Sequence, residues 1–224
     1  MIYMSMPELE TADRNQWTVS EIDQMRRIWG VLVKNFLQKF VRETGTILDV
    51  GAGFCHFINQ IRAKRRIAID VNPGIRAYAD PAVEVLITDD LTLPMVPDGG
   101  VDHVLISNFF EHLSSSTDVI ALLRTVRAKL APGGTVLVLQ PNFRYTGAAY
   151  FDFIDHKVVL TDKSLIEALE VAGFRVVYLV KRFLPYTSKS KLPQTLWLVR
   201  LYLALPFLWR VFGQQTFVVA KKPR

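Results

Sequence analysis

Carboxylates and glycines that follow short apolar runs are the residues of this chain best suited to hold a ligand. Asp49 stands just before Gly51-Ala52-Gly53, where the glycines allow a tight turn and a close approach of the backbone to a ligand. Asp70 ends a second apolar run about 20 residues further on, a spacing at which a carboxylate can accept hydrogen bonds from both hydroxyls of a ribose. The pattern therefore favours a nucleotide-like ligand, with Asp70 as a loop acid or as the cap of a helix near Pro73 as the alternative.

A histidine beside an acid is the most attractive candidate for acid–base chemistry. His156 has a side chain that titrates near neutral pH, and the neighbouring Asp155 could orient it. The segment 145–156 is rich in aromatics and acids without clear periodicity, which predicts a substrate-facing loop and adds Tyr145 as a candidate. Alternatively, His156 only hydrogen-bonds the backbone ahead of a helix at Thr161. No cluster has metal-ligand spacing, so no metal site is predicted.

Alternating strand and helix patterns position these residues. They predict an α/β fold with a doubly wound, mostly parallel, Rossmann-like sheet of seven strands. Ser20 is predicted to cap a long N-terminal helix that reaches Phe40, and the glycine loop to lead into a helix over 54–63. Further helices are predicted at 118–130 and 160–172, and strands at 46–50, 66–70, 83–87, 103–107, 135–139, 175–180 and 217–220.

Length and composition indicate a single domain over residues 1–224. A chain of 224 residues can bury a substantial core but leaves little room for a second full domain. We expect an N-terminal helical cap at 1–45, a core at 46–180 and a basic, apolar C-terminal segment with the last strand at 181–224. A single cysteine, Cys55, excludes an internal disulfide and suits a reducing compartment. The early residues lack the pattern of a signal peptide, so a cytoplasmic protein is expected.

Positive charge is concentrated at the C-terminal end of the chain. Residues 181–224 carry nine Lys or Arg and no Asp or Glu. Between Leu196 and Val211 nearly every residue is apolar, yet the uncharged stretches are too short to span a bilayer. This segment could make peripheral contact with the inner face of a membrane through 192–212, or pack on the sheet or on a second copy in a homodimer. Because its cations are interleaved with bulky aliphatics, nucleic acid is not expected as a partner.

Five motifs in this order resemble the class I S-adenosylmethionine-dependent methyltransferases, in particular small bacterial ones with a methyltransferase-11-like core. The landmarks run from about Ile47 to Gly173, with a seventh strand at Phe217. They are Leu48-Asp49-Val50-Gly51-Ala52-Gly53, Ile69-Asp70, Asp89-Asp90 ahead of Leu93-Pro94, Val101-Asp102 with Ser107 to Leu113, and Leu130-Ala131-Pro132-Gly133-Gly134. The family commonly has a third glycine or small residue where this chain has Cys55, a departure expected to change local packing.

The resemblance implies S-adenosyl-L-methionine as cofactor and methyl transfer as activity. It implies that the glycine loop binds the methionine part, that Asp70 binds the ribose, and that Asp89 or Asp90 accepts a hydrogen bond from the adenine amino group. The end of the fourth strand would form the bottom of the cofactor pocket. The cofactor-binding residues implied in this way are Asp49, Gly51, Ala52, Gly53, Asp70, Val71, Asp89, Asp90, Asn108 and His112.

Methyl transfer needs an in-line approach of the acceptor, a dry pocket and, where the acceptor loses a proton, a base. The expected catalytic residues are His156, Asp155 and Tyr145, and the expected acceptor is a small molecule or a lipid- or sugar-linked biosynthetic precursor. One alternative is an NAD(P)-dependent oxidoreductase, disfavoured because the loop lacks the final glycine or alanine of the dinucleotide fingerprint. The other is a non-catalytic, membrane-associated protein with the same fold.

Overall fold

The computed structural model describes residues 18–186 and 195–224, which form one seven-stranded sheet with helices on both faces. The strands are Thr46–Val50 (β1), Arg65–Asp70 (β2), Val83–Ile87 (β3), Val101–Ser107 (β4), Leu130–Pro141 (β5), Arg175–Val180 (β6) and Gln215–Lys221 (β7). The α-helices are Val19–Asn35 (α1), Ser116–Lys129 (α2), Phe143–Thr146 (α3), Asp162–Val171 (α4), Leu196–Ala204 (α5) and Pro206–Phe212 (α6). Short 3-10 helices cover Leu37–Phe40, Pro73–Ala77, Phe110–His112 and Gly147–Asp152.

The strand order across the sheet is β3-β2-β1-β4-β5-β7-β6. Strands β1 to β5 are parallel, and β7 runs antiparallel between β5 and β6. This confirms the α/β, mostly parallel, seven-stranded sheet. The order reverses at β1, which has β2 on one side and β4 on the other, and such a reversal opens a crevice at the carboxyl ends of the strands.

Alternation along the strands divides the core between the two faces of the sheet. Leu48 and Val50 of β1 point into a cluster completed by α2 and α4. Ile47, one residue away, points into the opposite cluster, which is completed by α1, α5 and α6. Strands buried on both faces are typical of a parallel sheet covered by helices on each side, and this burial holds the strand ends in fixed positions.

The N-terminal helix is present, but its predicted ends are wrong. Its cap is Thr18 rather than Ser20, since Thr18 and Glu21 form a capping box in which each side chain accepts a hydrogen bond from the other residue's backbone amide. The α-helix ends at Asn35, and a 3-10 turn carries the chain on to Phe40. By contrast, the Thr161 cap of α4 is confirmed, with Ser164 completing its capping box.

The helix predicted after the glycine loop is wrong. Residues 54–61 form consecutive turns, in which the amide of Cys55 donates to Ala52 O (2.8 Å) and that of Gln60 to Phe57 O (3.0 Å). Cys55 adopts φ +57°, a left-handed conformation that interrupts a right-handed helix at its first turn. The departure from the family pattern thus falls on a position whose backbone conformation favours glycine. Cys55 is fully buried, as a small core residue.

The C-terminal segment packs on the sheet instead of extending from it. Leu203 of α5 and Trp209 of α6 are buried in the same cluster as α1. Residues 192–194 of the predicted membrane-contact range lie outside the described residues. Within the described ranges, none of the helices combines the length and apolarity that a membrane crossing requires.

Candidate active site

The glycine loop is tied to the end of β2 by backbone hydrogen bonds. The amides of Gly51 and Ala52 both donate to Ile69 O, at 2.9 and 3.0 Å. The amide of Gly53 donates to Asp70 Oδ2 at 2.7 Å, and Asp70 Oδ1 accepts from the amide of Asn72 at 2.9 Å. Asp70 therefore holds two loops at the switch point of the sheet.

A small cleft lies at the carboxyl ends of β1, β2 and β3. Asp70 and Asp90 supply carboxylates, and apolar side chains supply most of the remaining wall. The lining residues are Val50, Gly51, Ile69, Asp70, Val71, Thr88, Asp90, Leu91, Leu93 and Phe109.

Gly51 is required at the bottom of this cleft for two independent reasons. Its φ is +70°, a region that side-chain-bearing residues rarely adopt. A Cβ at this position would also lie 2.3 Å from Cδ2 of Phe109. The backbone of the loop and the Phe109 ring are thus in direct contact, and only a glycine leaves the ring where it forms the cleft wall.

Asp49 is a buried carboxyl beneath the loop. Only 3% of it is exposed, and burial together with the nearby Asp70 carboxylate raises the pKa of Asp49 to about 8. The ionised form is destabilised by loss of solvent and by like charge. A cation brought to this site would therefore favour the ionised form of Asp49, which suits the ammonium of an amino acid.

Only some of the predicted cofactor-binding residues line the cleft. Gly51, Asp70, Val71 and Asp90 line the cleft. Asp49, Ala52 and Gly53 lie in or beneath the adjoining loop. Asp89 is exposed and, like Asn108 and His112, is not among the residues that line the cleft in the described ranges.

Several lining residues were missed by sequence reasoning. Phe109 follows the predicted Asn108, whose φ of +46° turns the chain at the end of β4. Leu93 also adopts a positive φ, +51°. It belongs to one of the family motifs but is not among the predicted cofactor-binding residues. Thr88 precedes the predicted acids, and its Oγ1 accepts a hydrogen bond from the amide of Asp90 at 3.0 Å. A signal for Phe109 existed in its position one residue after a predicted contact.

A second group of polar residues follows β4 and begins at Glu111, two residues beyond Phe109. We call Glu111, His112, Asp155, His156 and Tyr186 the histidine cluster. Its two halves meet because the amides of residues 157 and 158 donate to Glu111 O, at 2.7 and 3.2 Å. The predicted substrate-facing segment is a short helix and a 3-10 turn, and it brings Asp155 and His156 against the end of β4.

Within this cluster Asp155 binds His112 rather than His156. Asp155 Oδ2 lies 2.8 Å from His112 Nδ1, and this hydrogen bond is the main cause of the lowered pKa of Asp155. The rings of His112 and His156 meet edge to face, with centroids 5.2 Å apart. The predicted pairing of Asp155 with His156 is therefore replaced by a pairing with His112, because the backbone bonds of residues 157 and 158 to Glu111 O bring Asp155 to the end of β4.

His156 is oriented by a backbone carbonyl and a phenol. Its Nδ1 lies 2.9 Å from Tyr150 O and 3.1 Å from the hydroxyl oxygen of Tyr186. Since Tyr150 O is only an acceptor, Nδ1 carries the proton in the neutral ring and Nε2 keeps a lone pair. Burial, and then the charge of His112, lower the pKa of His156 below its usual value, so the ring is neutral at pH 7.

Glu111 is the deepest acid of the cluster. It is 2% exposed, its Oε2 accepts from Gln140 Nε2 at 2.9 Å, and burial raises its pKa. Gln140 Oε1 is buried and has no hydrogen-bond partner among the described residues. A donor group on a ligand or a water would satisfy this oxygen.

Tyr145 lies apart from the histidine cluster. Its ring packs against the guanidinium of Arg182, with 4.5 Å from the carbon to the ring centroid, and its carbonyl accepts from Gln214 Nε2 at 3.0 Å. No contact between Tyr145 and His156 is found within the described residues. The expected convergence of the three catalytic candidates is thus limited to Asp155 and His156.

One ligand atom from each of Glu111, His112 and His156 lies within 4.8 Å of the others, a spacing that a metal ion could also use. Hydrogen bonds to Asp155, Tyr150 and Gln140 account for the positions of these three side chains without an ion. The absence of a metal from this site stays a prediction.

Comparison with known proteins decides the family. A family model described as a methyltransferase domain matches residues 22–179, which is more than half of the chain. The chain belongs to this methyltransferase family. It is a class I, S-adenosylmethionine-dependent methyltransferase, as the resemblance implied, and its cofactor is S-adenosyl-L-methionine. No curated protein matches the methyltransferase in sequence.

Solved structures share the fold at low sequence identity. One is a chain from the complex between the Haloferax volcanii Trm112 methyltransferase activator and a methyltransferase, with a TM-score of 0.70, 19% identity and coverage of 99% of this chain and 100% of that one. A methyltransferase from Archaeoglobus fulgidus has a TM-score of 0.65 and 21% identity, with coverage of 88% of this chain and 94% of that one. A methyltransferase from Thermotoga maritima, described as a possible histamine N-methyltransferase, has a TM-score of 0.69 and 15% identity. The match covers 97% of this chain and 100% of that one.

The residues of the cleft fit the cofactor of this family. Asp70 offers acceptors for ribose hydroxyls, Asp90 offers an acceptor for an amino group, and Ile69, Leu91 and Phe109 offer apolar surface for a purine. Gly51 lines the cleft beside Phe109 and brings no side chain of its own into it. Neither the oxidoreductase nor the non-catalytic alternative is supported by the comparisons.

Proposed function

We propose that the histidine cluster is the acceptor site of this methyltransferase and that His156 takes the proton that the acceptor loses. The observation that carries the proposal is the edge-to-face contact of His112 and His156 only three residues beyond Phe109, which lines the cofactor cleft. A 3-10 helix rises about 2 Å per residue, so the cluster adjoins the cleft. The acceptor atom would lie between the histidine cluster and the cofactor cleft.

His156 is suited to this role by its protonation state. Its Nδ1 proton is directed to Tyr150 O, which leaves the Nε2 lone pair as the base. A lowered pKa keeps the ring neutral at pH 7, so that it can accept a proton without first losing one. Asp155 acts through His112, whose ring it orients, and is proposed as a positioning residue rather than as the partner of His156.

The cofactor, when bound, supplies a methyl group on a positively charged sulfur, and the acceptor attacks this methyl in line. The chain itself supplies alignment and a water-poor site. We propose that Asp70 and Asp90 hold the nucleoside part and that Gly51, Ala52 and Gly53, with Asp49 beneath them, hold the amino-acid part. Val71 completes the wall. The exposed Asp89, and Asn108 ahead of Phe109, have no proposed contact of their own.

The electrostatics of the cluster bear on the acceptor. Besides burial, the carboxylates of Glu111, Asp152 and Asp155 raise the pKa of Tyr186, which marks a region of negative potential. A neutral hydroxyl or an amine is accommodated there better than a carboxylate or phosphate. We propose a small-molecule acceptor, or the neutral part of a lipid- or sugar-linked precursor, with cytoplasmic methylation in a biosynthetic reaction.

The organisation of the chain is also proposed as one domain over 1–224, because β7 lies inside the sheet and joins the C-terminal segment to the core. Nucleic acid is not proposed as a partner, and a homodimer is the alternative for the C-terminal segment. The Haloferax volcanii relative is found in complex with the activator Trm112, so a small activator protein is a further proposed partner class. Co-purification of this methyltransferase with a Trm112-like protein would test that proposal.

Transfer of labelled methyl groups tests the assignment. The purified protein is incubated with methyl-labelled S-adenosylmethionine and separate pools of polar metabolites, nucleotide sugars and extracted lipids. We expect label in one pool, a loss of roughly 100-fold for His156→Gln, and affinity for S-adenosylhomocysteine unchanged within about twofold in that variant. Equal transfer by His156→Gln and the wild type would contradict the role of His156. Tyr145→Phe is the matched control and is expected to transfer normally.

A further inference from the structure

Helices α5 and α6 expose an apolar surface in which two arginines are embedded. The same pattern occurs once on each helix, as an aromatic residue followed three and four positions later by arginine and an aliphatic residue. We call this surface the outer face, formed by Trp197, Arg200 and Leu201 of α5 and by Phe207, Arg210 and Val211 of α6. Residues at such spacing lie on one side of a helix.

The exposed fractions of these apolar side chains are high. They are 63% for Trp197, 45% for Leu201, 60% for Phe207 and 60% for Val211. A helix on the surface of a soluble protein normally turns a polar face outward, whereas a helix that is apolar all round is covered. Contiguous exposed apolar surface of this kind marks an interaction site.

The opposite sides of the two helices are fixed to the body of the protein. Leu203 and Trp209 are buried against the cluster that contains α1, and Trp209 Nε1 donates to Tyr202 O at 2.7 Å. Arg182 also holds the end of α6, because its Nη2 donates to Val211 O at 2.7 Å and its Nε to Gly213 O at 2.8 Å. The outer face is therefore not available for burial by a rotation of either helix.

Charge indicates what covers this face. Arg200 and Arg210 are exposed on it, and the sequence has no Asp or Glu between residues 181 and 224. A second copy of the same surface would bring like charges together. An occupant that is apolar in depth and anionic at its surface matches the combination of tryptophan, phenylalanine and arginine, and the headgroup region of an anionic bilayer has both properties.

We propose that the methyltransferase docks on anionic membranes through the outer face, with the two helices lying in the interface. Trp197, Leu201, Phe207 and Val211 enter the boundary between headgroups and acyl chains, and the arginine stems lie along it while their guanidinium groups meet lipid phosphates. This binding needs neither cofactor nor methyl acceptor, and so it is independent of the proposed reaction.

Hydrogen bonds connect the chain just after α6 to the histidine cluster. Gln214 follows α6 by two positions, donates through Nε2 to Tyr145 O and accepts from the amide of Tyr186 through Oε1 at 3.4 Å. Tyr186 in turn contacts His156 through its hydroxyl. The end of α6 is thereby linked to the site that we propose for the acceptor.

Vesicle sedimentation tests the proposal with the full chain. The protein is mixed with vesicles of phosphatidylcholine alone and with vesicles of equal parts phosphatidylcholine and phosphatidylglycerol. We expect sedimentation with the anionic vesicles only, weakened by added salt. The double variants Trp197→Ser with Phe207→Ser and Arg200→Ser with Arg210→Ser should each lower the vesicle affinity by at least about tenfold.

As matched controls, an exposed apolar residue and an exposed arginine outside the outer face are each replaced by serine. Met95→Ser and Arg124→Ser should bind vesicles like the wild type. S-adenosylhomocysteine binding verifies that each variant is folded. Equal sedimentation of all variants, or no sedimentation of the folded wild type with anionic vesicles, overturns the proposal. A dimer in size-exclusion chromatography that Trp197→Ser with Phe207→Ser dissociates, without vesicle binding by the wild type, assigns the face to a second copy instead.

Discussion

Asp70 Oδ2 lies 2.7 Å from the amide nitrogen of Gly53. The residue predicted to grip a ribose is therefore also the residue that fixes the glycine loop. A hydrogen bond to a charged acceptor contributes roughly 1.5–3 kcal/mol, and the second one, from the amide of Asn72, holds the chain on the other side. The nucleoside and amino-acid parts of the cofactor site are consequently coupled through a single carboxylate.

Replacing Gly51 by alanine is predicted to be more damaging than the same change at Gly53. Both residues have positive φ, +70° and +54°, which costs roughly 1–3 kcal/mol for a residue with a Cβ. At Gly51 the Cβ also meets Phe109 at 2.3 Å, whereas at Gly53 no atom lies within 4 Å. Urea unfolding should show a larger loss of stability for Gly51→Ala. Equal losses for the two variants would contradict the contact with Phe109.

Asp49 is predicted to make the folded protein less stable as the pH rises. Its pKa is raised to about 8 in the folded state and is near 3.8 otherwise, so between these values the folded state holds the extra proton. Stability therefore falls from about pH 4 to about pH 8. Asp49→Asn should make this slope shallower and unfold at higher urea concentration than the wild type at pH 8, measured without cofactor. An unchanged slope would show that Asp49 is ionised in the folded protein.

His156 is predicted to set the acidic limb of the rate profile. Only its neutral form can accept a proton, and its lowered pKa, set by burial and by His112, keeps that form dominant below the usual histidine range. The ratio kcat/KM for the labelled acceptor should therefore fall only at pH values below 6.5. The nearby Asp155, Glu111 and Tyr186 share this region, so Asp155→Asn should move the limb. A limb that persists in His156→Gln would assign it to another group.

The sequence was sufficient for the sheet and for much of the cleft. Strands β1 and β2 contain short apolar runs that lead into Asp49-Val50 and into Asp70, and the parallel order places those ends together. The helix predicted after the glycine loop failed, because apolar spacing does not reveal the left-handed conformation of Cys55.

The pairing inside the histidine cluster could not be read from the chain. Asp155 and His156 are neighbours in sequence, which suggested that they interact. In the fold, the backbone bonds of residues 157 and 158 to Glu111 O turn Asp155 toward His112, which is 43 positions earlier in the chain. Similarly, two adjacent acids gave no basis for choosing between Asp89 and Asp90, and only the turn made by Thr88, Asp90 and Thr92 distinguishes them.

Calorimetric titration with S-adenosylhomocysteine of the wild type, Asp90→Asn and Asp89→Asn tests the cofactor site most directly. The two acids are adjacent and exposed, but only Asp90 lines the cleft, so each variant controls for the other. We predict micromolar binding by the wild type, roughly tenfold weaker binding by Asp90→Asn, and wild-type affinity for Asp89→Asn. Equal affinity of Asp90→Asn and the wild type, in a folded protein, would contradict the placement of the cofactor in this cleft.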